Sequence, residues 1–489
     1  MSTPHLSIYQ QHHLLPVFEH HKGKFYPAMV RASQAHVLML TEQGLLSAEE
    51  GAMLQRGLVE LTSHPRELVY DGSVEDVYFL LEQHLAEACG ISTSQLNLQM
   101  ARSRNDLDQG IFRMLLRQEL LSVAHYLHAT TETALERADR YADVVITGYT
   151  HRRPAQPTTI GHVLAGYAEA AATQLGLYAS LLREINLSPL GACAFAGTDL
   201  GISSGRLAEL LGFQGMLVNS YEAVAGADHL IRVATTNAQA LATGARLSRT
   251  LMDWLSDGWV VTPPEFTQGS SIMPQKRNPV VLEHLVSMAG ATAADAASVL
   301  NNVGAAWWED SNNATTDVQA RLWDSNARTE RFFALLSGFL AALEPYHPPN
   351  KEEIVATGAT TTAAADALTR HGVPFRSAHS LAGQLFQSKA PTRWASHTVR
   401  KVAAALGMEP LSEETIQDFM DAATRPSRVA ERVQSDGPGT AAVRAQVSML
   451  RQRTTAFKAE VDALAQSLLD AESLLDSLVA DQIAHPAAR

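Results

Sequence analysis

Between residues 111 and 139 the chain reads IFRMLLRQELLSVAHYLHATTETALERAD, and the spacing of its apolar side chains decides the fold. Leu116, Leu120, Ala124, Leu127 and Thr131 recur every three or four residues, which places them along one face of an α-helix. Four further stretches repeat the pattern. Residues 162–185 are rich in Ala and Leu and contain no Pro, and residues 221–255 form a third run, closed by Asp257-Gly258 and Pro263-Pro264. Residues 280–300 begin directly after Pro279, as helix N-termini often do, and residues 322–343 complete the set. Abundant alanines raise helix propensity and let neighbouring helices approach closely. Five long helices with few strand-like alternations predict an all-α protein organised around a central long-helix bundle.

Outward from that bundle, Pro345 to Pro349 marks a boundary by its density of breakers and aromatics. Breakers and periodicity divide the chain into three mainly helical stretches. Residues 1–108 hold helices over 43–61 and 74–89, residues 109–346 form the central bundle, and residues 347–489 make a more charged C-terminal stretch with shorter periodic runs. Residues 436–440 (DGPGT) read as a loop. The longest apolar segment, 332–343, is too short to span a bilayer and is interrupted by Ser337 and Gly338, so it reads as a buried helix. No basic n-region followed by an apolar core opens the chain, and a cytoplasmic protein is expected.

Charge narrows the partners. Fifty-one acidic against 38 basic residues leave a net charge of −13, which argues against a nucleic-acid or anionic-membrane surface. The same field repels anionic substrates, so local cations must overcome it. Cys89 and Cys193 are the only cysteines and are expected as reduced, buried thiols. No zinc-type Cys/His spacing occurs, His12-His13 and His20-His21 read as exposed polar pairs, and no metal is expected.

The densest chemical stretch is Gly269-Ser270-Ser271-Ile272-Met273-Pro274-Gln275-Lys276-Arg277-Asn278-Pro279. A pliable loop that carries hydroxyls, an ammonium and an amide suits chemistry on an anionic substrate, and its Gly hinge would let it close and exclude water. Ser103, Arg104 and Asn105 supply a hydroxyl, a guanidinium and an amide within three residues, and a guanidinium can clamp a carboxylate through two parallel hydrogen bonds.

The complete loop closely resembles the signature loop of the fumarase/aspartase superfamily, whose members eliminate fumarate from succinyl-type substrates. Ala101-Arg102-Ser103-Arg104-Asn105-Asp106 resembles the GRSRND motif of argininosuccinate lyases, with Ala101 in place of the usual Gly. Gly148-Tyr149-Thr150-His151, followed by Ala155-Gln156-Pro157, resembles that family's GYTH and AQP segments. Ser188-Pro189-Leu190-Gly191 through Ala196-Gly197-Thr198, and Gly372-Val373-Pro374-Phe375-Arg376 with Ala378-His379, are similar to two more. The likeness runs in the family's order from about residue 70 to about residue 445.

What the resemblance implies is a cofactor-free elimination. A proton leaves the carbon beside one carboxylate, charge collects there as an aci-carboxylate, and the C–N bond breaks. Ser270 is implied as the base, with Lys276 and Asn278 holding the aci-carboxylate and Ser271 beside them. Ser103, Arg104, Asn105 and Thr150 would bind carboxylates. His151, paired with Glu283, would either hold a carboxylate or help protonate the departing amine. The resemblance also implies that the three mainly helical stretches are domains and that the chain forms a homotetramer with active sites shared between chains, with one N-succinyl amine as substrate and fumarate as product.

The segment that meets the amine side departs from the family. Argininosuccinate lyases read roughly TYNKDLQEDKE where residues 306–316 read AWWEDSNNATT. Trp307 stands for the Tyr, Asn312 for the Gln and Thr315 for the Lys. Losing the lysine removes a cation that would pair with the amino-acid carboxylate of argininosuccinate. The expectation is a lyase for another N-succinyl amine, with an aminopolycarboxylate such as ethylenediamine disuccinate favoured. A true argininosuccinate lyase and a crystallin-like structural protein are the alternatives. Retention of Ser270, Lys276, Asn278, His151 and Glu283 weighs against the last.

Overall fold

In the computed structural model, which describes residues 6–486, capping side chains rather than apolar ones set where the second and third N-terminal helices begin. Helix α1 (Leu15–Glu42) stops short of Gly44, whose φ is +71°, and the Ser47 hydroxyl caps α2 (Ala48–Ser63) by accepting from the Glu50 N–H. Asp76 caps α3 (Val77–Cys89) by accepting from the N–H groups of Tyr78 and Phe79. Both α2 and α3 therefore start later than the apolar pattern suggests. His21 on α1 is a correction to the expected exposed pair. It is buried, and its ring stacks on Phe25 with centroids 4.4 Å apart. Cys89 and Cys193 are free but only half-buried.

Ser103 caps α4 (Arg104–Arg140) in a reciprocal box, its hydroxyl accepting from the Asn105 N–H while Asp106 accepts from the Ser103 N–H at 2.9 Å. The face read from the sequence is the buried one: Leu116, Leu120, Ala124, Leu127 and Thr131 are all shut from solvent. After α4 comes an antiparallel hairpin, β1 (Val145–Thr150) and β2 (Arg153–Thr159), which the helical pattern did not foretell. Gly148 sits where the register shifts, and a Cβ there would lie 2.9 Å from the Gln156 carbonyl oxygen.

Helix α5 (Ile160–Ile185) follows, then the short α6 (Ser204–Leu210) and α7 (Ser220–Ala225) before α8 (Asp228–Ser256). The run read as one helix over 221–255 is two, because Gly226 adopts extended backbone with ψ 115°. The two-residue strands β3 (Gln268–Gly269) and β4 (Arg277–Asn278) pinch the base of the signature loop. Helices α9 (Val280–Gly304) and α10 (Thr316–Ala341) close the bundle. Phe332, Phe333, Leu336, Phe339, Leu340 and Leu343 are fully buried, so the longest apolar stretch is the buried helix expected. A Cβ on Gly244 of α8 would meet Phe332 at 2.4 Å, so the absence of a side chain is what lets α8 and α10 pack this closely.

Beyond residue 350 come five short helices between Lys351 and Thr424, and the last four of them build a small core of their own around Leu368, Leu381, Leu385 and Phe419. The last helix, α11 (Thr440–Ala484), is longer than the short runs expected there and leaves that cluster. It lays Val443, Val447, Phe457 and Val461 against the bundle, and Leu475 and Val479 against the N-terminal helices. No helix among the described residues is long and apolar enough to cross a membrane.

Contacts between helix termini define two ends of the bundle. At one end, the start of α4 meets the end of α5 through Arg113, which donates to the Glu184 carbonyl, and the start of α8 through His229. The end of α9 joins the approach to α10 there, with Asn313 donating to the Asn302 carbonyl. At the other end, Tyr141 donates to the Leu343 carbonyl, Arg152 pairs with Asp253 near the end of α8, and Phe266 packs on Phe339.

Candidate active site

The first motif stands at the N-terminus of α4, where its side chains are already engaged. Arg104 donates to Asp76 at 2.6 Å and to Asp108 at 3.0 Å, and lies 4.8 Å from the centre of the Tyr78 ring. Burial opposes its charge, but the two carboxylates outweigh that and hold the guanidinium above its ordinary pKa. Burial pushes the Asp108 carboxyl up against the pull of Arg104. Arg104 is thus not the free clamp the sequence suggested; its fork is occupied by two acidic neighbours. The Ser103 hydroxyl is spent on the helix cap, and the Asn105 amide donates to the Ala194 carbonyl at 3.3 Å.

Asp106 ties a second segment to this end. Its buried carboxylate accepts from the N–H groups of Ser103, Gly191 and Cys193, which docks the 188–198 stretch against α4. Gly191 and Cys193 turn there with φ of +96° and +54°.

Arg104, Asn105, Asp76, Asp108, Asn312 and Thr315 line one cavity of about 340 Å³. The fold thereby joins the first motif to the altered amine segment. Thr315 is buried and its hydroxyl donates to the Ser311 carbonyl at 3.1 Å, so it closes a turn rather than offering a charge. Trp307 is 77% exposed and does not line the cavity. Arg321 lies toward α9, 3.9 Å from Asp295, a carboxylate that also pairs with Arg328.

At the opposite end, His151 and Arg152 form the two-residue tip of the β1–β2 hairpin with φ of +51° and +61°. That left-handed pair is the geometry of a type I′ turn, which favours Asn and Gly. Thr150 and His151 are exposed. Glu283, in the first turn of α9, is exposed too, and neither His151 nor Glu283 makes a hydrogen bond or ion pair among the described residues. The expected His151–Glu283 pair is not formed within one chain.

The signature loop lies at this end as a hairpin whose ladder sets Gln268 opposite Asn278. The Ser270 oxygen accepts from the N–H groups of Ile272 at 3.3 Å and Met273 at 3.0 Å, donors of the kind that stabilise an alkoxide. Ser271 and Lys276 are exposed, and Lys276 has no ion-pair partner among the described residues. Ile272, at the tip, is 83% exposed. The separation is large: the 37 residues of α4 span about 55 Å and the 25 of α9 about 37 Å, at 1.5 Å per residue. Ser270 and His151 therefore stand far from Arg104 in the same chain.

Sequence reading did not single out Asp76 or Asp108, and it read His21 as an exposed polar residue rather than part of the site. Asp108 follows Arg104 by four residues, a spacing that pairs charges on a helix, and Asp76 precedes an apolar run as an N-cap does. His21 carries no such signal, because its place depends on the packing of α1.

Comparison with known proteins agrees with this architecture. A family model described as "Lyase" matches residues 33–293, and one described as "Argininosuccinate lyase C-terminal" matches residues 358–426. The chain is 31% identical over 467 residues to argininosuccinate lyase 2 of Agrobacterium fabrum, covering 93% of this chain and 92% of that protein. It is 31% identical over 437 residues to the argininosuccinate lyase of Natronomonas pharaonis, covering 88% and 87%. Among solved structures, an EDDS lyase in complex with formate superposes with a TM-score of 0.84 at 29% identity over 97% of both chains. A class II fumarase from Schistosoma mansoni superposes at 0.69 with 17% identity, covering 86% of this chain and 93% of that one, a likeness of fold.

Proposed function

The chain belongs to the argininosuccinate lyase family of the fumarase/aspartase superfamily, and from that premise we propose which amine it releases. It is a carbon–nitrogen lyase that yields fumarate. Its substrate is an N-succinyl amine whose amine half differs from arginine, with an aminopolycarboxylate such as ethylenediamine disuccinate the favoured candidate.

One observation carries this reading. Thr315 stands where argininosuccinate lyases resemble one another in a lysine, and it is buried in a turn with its hydroxyl already committed. No cation from that position can pair with a distal amino-acid carboxylate. Arg321, the nearest sequence substitute, lies beside Asp295 instead. Losing a buried partner charge costs about 2–5 kcal/mol, or roughly one and a half to three and a half decades in affinity. The likeness to an EDDS lyase over 97% of both chains supports the same choice.

In the reaction, the Ser270 alkoxide takes a proton from the carbon beside one substrate carboxylate. Lys276 and Asn278 receive the charge that collects on that carboxylate, Ser271 and Thr150 donate hydrogen bonds, and the C–N electron pair leaves with the amine. His151, oriented by Glu283, either holds the second carboxylate or protonates the departing nitrogen. Asn105 and Asn312 belong to the substrate-binding half, with Arg104 in its wall and Ser103 capping the helix beneath, while the exposed Trp307 could join it only in an assembly of several chains. Several copies of the chain must combine to bring these groups together, because one chain holds them at opposite ends of long helices. A homotetramer with shared sites satisfies that requirement.

The curated relatives are named argininosuccinate lyases, which favours argininosuccinate as the second reading. Steady-state release of fumarate, followed by its absorbance, decides between them. We expect kcat/KM for argininosuccinate to lie at least about tenfold below that for a succinylated diamine. Efficient cleavage of argininosuccinate with inert succinylated diamines would return the chain to arginine chemistry. Shared sites are tested by dissociating and reassociating inactive Ser270→Ala and His151→Asn chains together. Recovered activity supports them, and none, in verified mixed oligomers, places each site within one chain.

A further inference from the structure

Residues 307–310, inside the segment that departs from the family, are held by few contacts. Trp307 is 77% exposed and Trp308 63%, so neither ring anchors the chain by burial. Locally, the Glu309 N–H donates to the Trp307 carbonyl at 2.9 Å. Among the described residues, one hydrogen bond joins residues 307–310 to a part of the chain outside 301–317: the Tyr221 hydroxyl donates to the Trp308 carbonyl at 2.7 Å. Tyr221 itself stands on a fixed base. Asn219 caps α7 by accepting from the N–H groups of Tyr221 at 2.9 Å and Glu222 at 3.0 Å. Ala223 and Val224 of that helix are buried against Ala192, in the stretch that Asp106 docks, and Gln109 of α4 donates to the Val224 carbonyl at 3.0 Å. The Tyr221 ring meets Phe195 edge-on, with centroids 5.5 Å apart.

We propose that Tyr221 is a positioning residue for the amine half of the substrate: its hydroxyl fixes the Trp308 carbonyl and thereby sets Asp310 and Asn312, just beyond, in the cavity wall. The inference rests on the reading that residues 306–316 meet the amine side of an N-succinyl amine. Its physical basis is preorganisation. A segment already held in its bound shape loses less conformational freedom when the substrate arrives. Without the hydroxyl, residues 307–310 pivot between Ala306 and Ser311, and binding must order them. That loss weighs on the bound ground state and the transition state alike, so it raises KM and leaves kcat nearly as it was. Fumarate, which the signature loop is proposed to hold, is not served by this segment.

The test is Tyr221→Phe in the full-length protein, which removes the hydroxyl and keeps a ring against Phe195. The substrate is whichever N-succinyl amine the wild type cleaves, with ethylenediamine disuccinate and argininosuccinate tried first. KM is expected to rise about three- to tenfold, the weight of one partly exposed hydrogen bond, with kcat within about twofold. Inhibition by the amine product, N-(2-aminoethyl)aspartate or arginine for those two substrates, should weaken to the same degree, and inhibition by fumarate should not change. An unchanged KM with unchanged inhibition by the amine, even beside a lower thermal midpoint, overturns this inference and leaves the lyase reading standing. Inhibition by fumarate that weakens as much as inhibition by the amine, or more, takes the 306–316 segment off the amine side, and this inference falls with that assignment. If no N-succinyl amine yields fumarate, the lyase reading falls and this inference with it.

Discussion

The two ends of the bundle differ in how much of their chemistry is settled within one chain. At the start of α4, Arg104 is held by Asp76 and Asp108, Asp106 gathers three N–H groups, and a closed set of contacts frames a cavity. At the far end, His151, Glu283 and Lys276 reach into solvent without a partner among the described residues. The first end is a finished half-site. The second presents groups that, in the proposed shared-site assembly, another copy of the chain completes, and on that proposal a loop carrying Ile272 at 83% exposure need not be read as a misplaced apolar side chain.

Predictions follow from that contrast. The largest effect should come from the unfinished end. Ser270→Ala is expected to lower kcat by about a thousandfold or more, roughly 4 kcal/mol of barrier, with oligomer size unchanged. Stability should fall by only about 1 kcal/mol, since the hydroxyl accepts two exposed backbone N–H groups. Retention of more than about a tenth of wild-type kcat would remove Ser270 from the role of base.

The finished end should instead be sensitive to acid. His36 faces the Met100 carbonyl at 2.8 Å, just before the first motif. Burial, aided by Arg102, lowers its pKa to about 3, and His21 falls to about 4. Both folded pKa values lie below the unfolded one, so the unfolded chain binds more protons and stability is lost as pH falls. For His36 the loss runs from about pH 6.5 downward at roughly 1.4 kcal/mol per pH unit, some ~3 kcal/mol by pH 4. Denaturant titrations at several pH values should show His36→Gln flattening this slope. An unchanged slope would mean that other groups govern acid stability.

Next in size is Arg104→Met, which leaves Asp76 and Asp108 facing each other without their cation. A loss of about 1–3 kcal/mol is expected for this partly exposed cluster, discounted from the cost of breaking a fully buried pair. A thermal shift of zero would show that the three groups are solvated independently.

The smallest effect returns to the hairpin tip. His151→Asn should raise stability by about 0.5–1 kcal/mol, because Asn tolerates the left-handed backbone at φ +51° better than His. Turnover should fall at the same time. A variant both more stable and fully active would leave the strain at His151 without a functional reason.

The helices were legible in the sequence because burial of one face imposes a local period. Leu116 through Thr131 lie on the buried face, and Phe332 to Leu343 form the buried helix, as spacing alone required. Departures came where caps and backbone overrode that period: Asp76 delays α3, Gly226 splits the run over 221–255, and the hairpin at Gly148 to His151 shows no helical signal at all. The order of the motifs and their residue types also stood in the sequence, and with them the family. Which residues face one another did not, because pairing between distant segments depends on how the rods pack. Only the tertiary structure brings Asp76 to Arg104, lays α11 back along the bundle, and turns His21 into a cavity wall. It alone sets Ser270 and Arg104 at opposite ends, since a helix of 37 residues is rigid and a chain of such rods cannot fold its termini together.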